Sequence, residues 1–293
     1  MDKDKNIAMD TQVSLDWWPS PAKLNLFLHI TGRNDKGYHL LQSLFQMLDV
    51  GDSLAFIPND SGDIRLATAI SGVNTEDNLI YRAARLLQSH VNTPQGCDIY
   101  IEKQLPMGGG ISGGSSNAAT TLVALNYYWQ CGLSTETLAQ LGLKLGADVP
   151  IFVHGKTAFA EGVGEQIHPI RLDESWYLVV FPGVNISTAE VFSHPDLPRN
   201  TTPIDWQHYT FDATQNDCQK IVCKSQPEVA KLLQWLLHYA PSRMTGTGAC
   251  VFATFSDPDQ AKAVQQALPG NWHGFVAKGV NTSPLQLKLQ EMS

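Results

Sequence analysis

Apolar positions along the chain change their spacing from segment to segment, and the spacing predicts the elements. Leu24, Leu26 and Leu28 alternate with Asn25, Phe27 and His29, the period-2 pattern of a half-buried strand. Asp52–Ile57, Ile64–Ala69 and Asp98–Lys103 read as further strands. Asn78–Leu87 predicts a helix with Ile80, Ala83 and Leu87 on one face, behind the acidic start Glu76-Asp77. Ser115–Trp129, with Ala118, Leu122 and Leu125 at helical spacing, predicts a second helix, and Ser134–Leu145 a third. A strand-rich stretch follows, IFVHGKTAFAEG (151–162) and then SWYLVVFPG (175–183). Pro227–Tyr239 opens with a proline suited to a first helical turn and carries Val229, Leu232, Leu233 and Leu236 on one side. Asp257-Pro258 opens a last helix in the same way.

Strands and helices mix without a strict βαβ rhythm, which points to an α+β fold in two lobes. The chain has 293 residues, 43% of them hydrophobic and 16% charged, enough for one large or two moderate domains with a buried core. The expected division is a polar tail over 1–16, an N-terminal lobe over 17–165 and a C-terminal lobe over 166–293. There is no internal repeat and no low-complexity segment. Five cysteines, an odd count with no close C-x-x-C pair, fit free thiols in a reducing compartment. The start has no apolar h-region, and no apolar run approaches the roughly 20 residues of a membrane span. These features together read as a soluble, cytoplasmic protein with no membrane partner. The net charge of −8 speaks against a nucleic-acid partner, because binding by counterion release needs a basic surplus.

The strongest local signal is Pro106-Met107-Gly108-Gly109-Gly110-Ile111-Ser112-Gly113-Gly114-Ser115-Ser116, between a predicted strand and a predicted helix. Five of the 23 glycines fall within seven residues here. Glycines let backbone take positive φ and approach a ligand closely, and the helix that follows offers unpaired N–H groups and a partial positive charge. This is an anion site suited to phosphate, with Ser115 and Ser116 adding hydroxyls. Two imitations are set aside. Gly108, Gly110 and Gly113 match the G-x-G-x-x-G dinucleotide fingerprint, but Cys131–Glu136 reads as a helix–helix turn where an acidic strand end belongs. Gly155-Lys156-Thr157 mimics the end of a Walker A loop, yet position 150 is Pro where the first Gly belongs. A second glycine run, Met244–Ala253, is either a tight turn or a site. On the first strand Lys23 and Asn25 share a face, opposite the leucines and toward solvent or a cleft. Asp148 in GADVP sits at an expected helix-to-strand junction, where a turn or cap carboxylate is the plain reading.

Taken together, PSPAKLNLFLHITGR, GYHLLQSLFQ, EDNLIYRAARLL, PMGGGISGGSSNAATTLVALN, LGADVP, FAEGVGE, PSRMTGTGACVFA and FVAKG resemble the GHMP kinase superfamily, from about Trp18 to the C-terminal region. The glycine motif alone carries only the superfamily. GYH, LGADVP and TGTGAC are similar to its members that act on a cytidine diphosphate ester of methylerythritol.

The resemblance implies two α+β lobes, the first like domain 2 of ribosomal protein S5 and the second ferredoxin-like, with the active site in the cleft between them. It implies ATP and Mg²⁺ as cofactors, and transfer of the γ-phosphoryl group to the 2-hydroxyl of that ester in the non-mevalonate isoprenoid pathway. ATP phosphates would lie over Pro106–Ser116. Asp148 matches the family's catalytic carboxylate and Lys23 its partner. Asn25, Tyr38 and His39 fall where the family contacts substrate, with His39 reading cytosine, and Phe192 matches an aromatic that stacks on that base. Asn78 and Lys103 match the nucleoside end of the ATP pocket. No metal ligand is assigned, and the oligomeric state is left open. One departure stands out. The family commonly has glycine where this chain has Ser112, and serine is penalised at positive φ. The alternatives are another GHMP small-molecule kinase, acting on homoserine, mevalonate or a sugar, and an idle GHMP-fold ligand sensor.

Overall fold

The computed structural model describes residues 15–292, so all but the last two residues of the expected polar tail (1–16) lie outside the described residues. Its first two strands, β1 (Trp17–Arg33) and β2 (His39–Asn59), form a long antiparallel pair. They are joined at a turn where the Asn34 side chain accepts from the N–H groups of Lys36 and Tyr38. The segment expected as a separate strand at Asp52–Ile57 is the second half of β2. β3 (Ile64–Leu66) runs parallel to β4 (Gly96–Glu102), which pairs antiparallel with β2. β5 (Ala158–Glu161) pairs with β2 and with β6 (Gln166–Pro169). β10 (His273–Val280) joins β2 to β7 (Trp176–Phe181), and β7 continues to β9 (Val251–Phe255) and β8 (Ser242–Met244). The result is one ten-stranded sheet.

Helices stand where apolar spacing and caps coincide. Asn78 caps α1 (Leu79–Val91), accepting from the Ile80 N–H at 2.9 Å, and Ile80, Ala83 and Leu87 are buried as expected. α2 (Gly113–Tyr128) is buried along most of its length. Ser134 caps α3 (Thr135–Leu143). α5 (Thr188–Ser193), α6 (Gln219–Ser225), α7 (Pro227–Leu237) and α8 (Pro258–Gln266) follow, with Asp257 capping α8.

Three expectations are corrected. The run at 151–156 is not a strand: Val149–His154 is a helix, α4, with Pro150 in its first turn and Gly155 as a left-handed C-cap. Its apolar residues are buried on every side, so the run carries no amphipathic period to separate helix from strand. Asp148 therefore lies at a helix-to-helix junction. The helix at Asp257 is not the last, because α9 (Pro284–Met292) follows β10. The alternation of β1 also breaks. Phe27 shares the apolar cluster of Leu24 and Leu26, because the β1–β2 register shifts between Asn25 and Leu28.

The apolar residues form three clusters. One packs α1, α2, α3, α4 and Leu285 of α9 against β1, β2 and β4. A second packs α6, α7 and α8 against β7 and β9, together with Leu28 and Ile30 of β1. The third, with Leu24, Phe27, Leu44, Ile111, Val179 and Phe252, ties the two halves together beneath the cleft.

Candidate active site

A cavity of about 830 Å³ opens between the two halves, walled on one side by the glycine loop. Asp52 sets the start of that loop. Its buried carboxylate accepts from the N–H groups of Gln104 and Leu105, both at 2.8 Å, and from Lys103 Nζ at 2.8 Å. Downstream, the carbonyls of Gly108 and Gly109 accept from the N–H groups of Ala249 and Cys250. The loop is thereby laid against the second glycine turn, Thr245–Gly248, whose Gly246, Thr247 and Gly248 also face the cavity. In the first turn of α2, the N–H groups of Gly113, Gly114 and Ser115 find no backbone partner among the described residues, as expected at a helix start. They lie at the cavity wall with the partial positive charge of the helix behind them. Pro106, Met107, Gly108, Gly109, Gly110, Ser112, Gly113, Gly114 and Ser115 all line this wall. Ile111 and Ser116, expected in the same site, do not. Ile111 is buried in the apolar cluster beneath the loop. Ser116 Oγ accepts from Ser20 at 3.0 Å, and its N–H is used by the Ser112 carbonyl.

Against the loop, Lys23 and Asn25 line the cavity from β1, but neither is solvated: both are buried. Lys23 Nζ reaches Asn25 Oδ1 at 2.6 Å, the Gly110 carbonyl at 3.1 Å and Asp148 Oδ2 at 3.4 Å. Burial pulls the Lys23 ammonium below its ordinary pKa, and the Asp148 carboxylate opposes that pull. Asn25 is fixed in turn: its Nδ2 donates to Ser43 Oγ at 2.7 Å, and its backbone N–H to Thr245 Oγ1 at 2.8 Å. Asp148 is the N-cap residue of α4, yet its side chain makes no capping bond. It turns into the cavity instead, 35% exposed, where Oδ2 meets Lys23 and accepts from the Ser112 hydroxyl. A carboxylate held beside a buried ammonium and open to the cavity can take a proton from a hydroxyl placed there.

At the far end of the cavity, His39 and Phe192 face each other with ring centroids 5.3 Å apart and planes tilted by 32°. Tyr38 stands beside them, 64% exposed. Arg33 and Arg199 each place Nε 3.3 Å from His39 Nε2. Guanidinium only donates, so Nε2 is the acceptor and the ring proton is on Nδ1. Burial first, then the charges of Arg33 and Arg199, hold His39 below its usual pKa and favour the neutral ring. The Arg199 guanidinium also donates to the carbonyls of His194, Pro195 and Leu197, tying the segment after Phe192 to His39. Asn78 and Lys103 also line the cavity. Asn78 caps α1, and Lys103 Nζ donates to the Leu105 carbonyl as well as to Asp52.

Sequence reasoning missed Ser43 and Thr188 as cavity walls and the two arginines around His39, and it left the Gly246–Gly248 turn, which lines the cavity, between a tight turn and a site. Only the second glycine run carried a signal. Gly155-Lys156-Thr157 binds no phosphate loop: Gly155 ends α4, and Lys156 Nζ donates to Thr282 Oγ1.

Among the described residues no three His, Cys, Asp or Glu side chains come together to hold a metal ion, and the carboxylates on the cavity wall are Asp77 and Asp148. No helix among them is long and apolar enough to cross a membrane.

A glycine loop feeding a helix N-terminus, a Lys–Asp pair held against it and a cleft between two α+β halves define a small-molecule kinase fold. The chain matches the family models for the GHMP kinases N terminal domain over residues 78–156 and the GHMP kinases C terminal over residues 206–274. It belongs to the GHMP kinase family. Within that family it is 62% identical, over 279 residues and 95% of its length, to the 4-diphosphocytidyl-2-C-methyl-D-erythritol kinase of Pseudoalteromonas atlantica, of which it covers 98%. A crystal structure of 4-(cytidine 5'-diphospho)-2C-methyl-D-erythritol kinase superposes with a TM-score of 0.80 at 30% identity, covering 90% of this chain and 100% of that one. The Methanococcus jannaschii mevalonate kinase shares the fold, with a TM-score of 0.65 at 14% identity over 92% of this chain and 100% of that one.

Proposed function

We propose that the protein transfers the γ-phosphoryl group of ATP to the 2-hydroxyl of 4-diphosphocytidyl-2-C-methyl-D-erythritol. The observation that carries this reading is one cavity joining a phosphate-ready loop, a Lys23–Asp148 pair and the His39–Phe192 slot. The slot separates this substrate from mevalonate, homoserine or a sugar, none of which has a nucleobase to place there. His39, neutral with its proton on Nδ1, offers a donor to an acceptor atom on the cytosine edge, while Phe192 and Tyr38 offer aromatic faces. The diphosphate then spans the cavity and brings the methylerythritol hydroxyls toward Asp148.

In the proposed reaction the acceptor oxygen attacks the γ-phosphorus. Its bond to phosphorus forms as the bond to the bridging oxygen breaks, ADP leaves, and the hydroxyl proton passes to Asp148. Lys23 pairs with that carboxylate and steadies negative charge on the attacking oxygen. The N–H groups of Gly113, Gly114 and Ser115 hold phosphate oxygens. Mg²⁺ keeps several waters and prefers phosphate oxygens with few protein ligands, which suits a wall this poor in carboxylates. The Ser115 hydroxyl, on the cavity wall in the first turn of α2, would be the protein oxygen to hold it, and the ion would supply charge neutralisation there. We read the lobes as 17–165 and 166–293, with β1 and α9 reaching across. The five free cysteines fit a reducing cytoplasm.

The test is an ADP-release assay with the cytidyl ester, mevalonate and homoserine side by side, the product being identified by mass and phosphorus NMR. Turnover of the cytidyl ester alone supports the reading. Turnover of mevalonate or homoserine without it replaces the substrate, and turnover of none favours a ligand sensor.

A further inference from the structure

We infer that Ser112 is a positioning residue for Asp148: its hydroxyl, together with the Lys23 ammonium, pins Oδ2 of the carboxylate and leaves Oδ1 to face the acceptor hydroxyl. The inference rests on the reading of Asp148 as the base.

Three observations carry it. Ser112 sits at φ 58°, ψ 34°, a left-handed conformation that glycine takes without penalty and serine does not. A backbone requirement alone would therefore favour glycine, so the side chain needs a reason of its own. Capping is not that reason. Ser112 is the N-cap residue of α2, a place where serine ordinarily accepts from the helix's first N–H groups, yet it makes no such bond. Asp148 repeats the pattern at the start of α4, forgoing its own cap. Two residues with good capping side chains both turn away from their helices and toward each other. They meet at the cavity wall, where the Ser112 hydroxyl donates to Asp148 Oδ2.

The second oxygen completes the argument. Among the described residues the Asp148 carboxylate has two polar partners, Ser112 and Lys23, and both engage Oδ2. Oδ1 has none, and the side chain is partly open to the cavity. Lys23 alone, at 3.4 Å, holds the carboxylate by charge with little angular preference. The hydroxyl adds direction, because a hydrogen bond weakens steeply as it bends. Its removal frees the carboxylate to swing about its last torsion and spreads Oδ1 over positions that do not meet the substrate.

The experiment compares Ser112→Ala, Ser112→Gly and Asp148→Asn with wild type in steady-state assays on the cytidyl ester, alongside thermal melts. Ser112→Ala keeps the Cβ and the left-handed backbone but drops the hydroxyl. Its kcat is expected to fall about tenfold, the loss of one hydrogen bond to a charged group, with KM for ATP and for the ester within about twofold. Ser112→Gly is expected to show the same fall in kcat while its Tm rises by about 2–4 °C, because the backbone penalty is relieved. A more stable yet slower enzyme is a pairing that a merely structural serine does not give. The glycine variant also keeps the test available should the alanine variant fold poorly. Wild-type kcat in both serine variants, with Asp148→Asn inactive, overturns the role of Ser112 and leaves Asp148 as base. Wild-type turnover in Asp148→Asn overturns both. A fall in kcat accompanied by a matching rise in KM for ATP assigns Ser112 to the shape of the phosphate loop and also overturns the proposal.

Discussion

Replacing Gly110 by alanine is expected to slow phosphoryl transfer by about 10²-fold, an effect passed to the Lys–Asp pair through backbone. Gly110 has φ +73°, and a Cβ built on it lies 2.5 Å from the Thr245 carbonyl oxygen and 2.9 Å from that of Gly248. Ordinary carbon–oxygen contacts are about 3.3–3.6 Å, so the loop and the turn must part by roughly 1 Å. The turn resists, because Asn216 Nδ2 donates to the Met244 carbonyl at 2.7 Å and the Gly246 carbonyl at 2.8 Å, and Thr245 Oγ1 accepts from Asn25. The loop yields instead and carries away the Gly110 carbonyl, an acceptor for Lys23 Nζ. A shift of about 1 Å at a reacting constellation costs on the order of 10²-fold in rate, or about 2.7 kcal/mol of barrier. The left-handed alanine adds about 1–2 kcal/mol of destabilisation, which lowers Tm by roughly 2–8 °C. Gly132→Ala serves as the control. It has φ +67° and no atom within 4 Å of its Cβ, and it lies between α2 and α3, so it carries the backbone cost without the clash. The assay is steady-state kcat at saturating ATP and cytidyl ester, with a melt for each variant. Gly132→Ala should lose Tm and keep its kcat, whereas Gly110→Ala should lose both. A Gly110→Ala enzyme with a lowered Tm and a wild-type kcat would refute the reasoning, since the position of Lys23 would then not depend on the loop.

Further predictions concern ionisation and the base slot. Burial lowers the Lys23 pKa from its ordinary 10.5 and Asp148 partly restores it, so kcat should decline as pH rises through a value below 10.5. Any turnover left in Asp148→Asn should decline at lower pH still, and an unmoved limb would separate Lys23 from Asp148. Phe192→Ala should raise KM for the cytidyl ester by about tenfold, within the 1–3 kcal/mol typical of base stacking, and leave KM for ATP alone. The same KM should rise in the wild type as pH falls below about 6.5, the ordinary histidine value. His39 is held below that value, so its protonation is unfavourable in the fold, and protonating it removes the neutral ring that reads the base. A KM flat down to pH 5 would take His39 out of base recognition.

Much of this was legible in the sequence wherever local chemistry decides the structure. α1, α2 and α7 announce themselves by apolar spacing, α1 also by the acidic Glu76-Asp77 before it and α7 by Pro227, while α8 announces itself by Asp257-Pro258. The glycine loop could be named from its residue types alone, whereas Lys23 and Asp148 read locally as a strand lysine and a turn or cap carboxylate and were named only through the family resemblance. α4 could not, because a six-residue helix buried on all sides shows no period. Nor could the contacts that tune the site. Arg199 reaches His39 across 160 residues and Ser112 reaches Asp148 across 36, and neither pairing leaves a mark on local sequence. Net charge misleads in a related way. A net charge of −8 says nothing of the cavity wall, where the amides at the start of α2 and Lys23 supply local positive potential.

The central claim is that Asp148 removes the acceptor proton while other residues bind the substrates. Asp148→Asn keeps the side-chain shape and removes the base, so its kcat, measured beside calorimetric Kd values for ATP and for the cytidyl ester, tests that claim most directly. The expected result is a fall in kcat of at least about 10²-fold with both Kd values near wild type. A folded Asp148→Asn enzyme that turns over at the wild-type rate would contradict it.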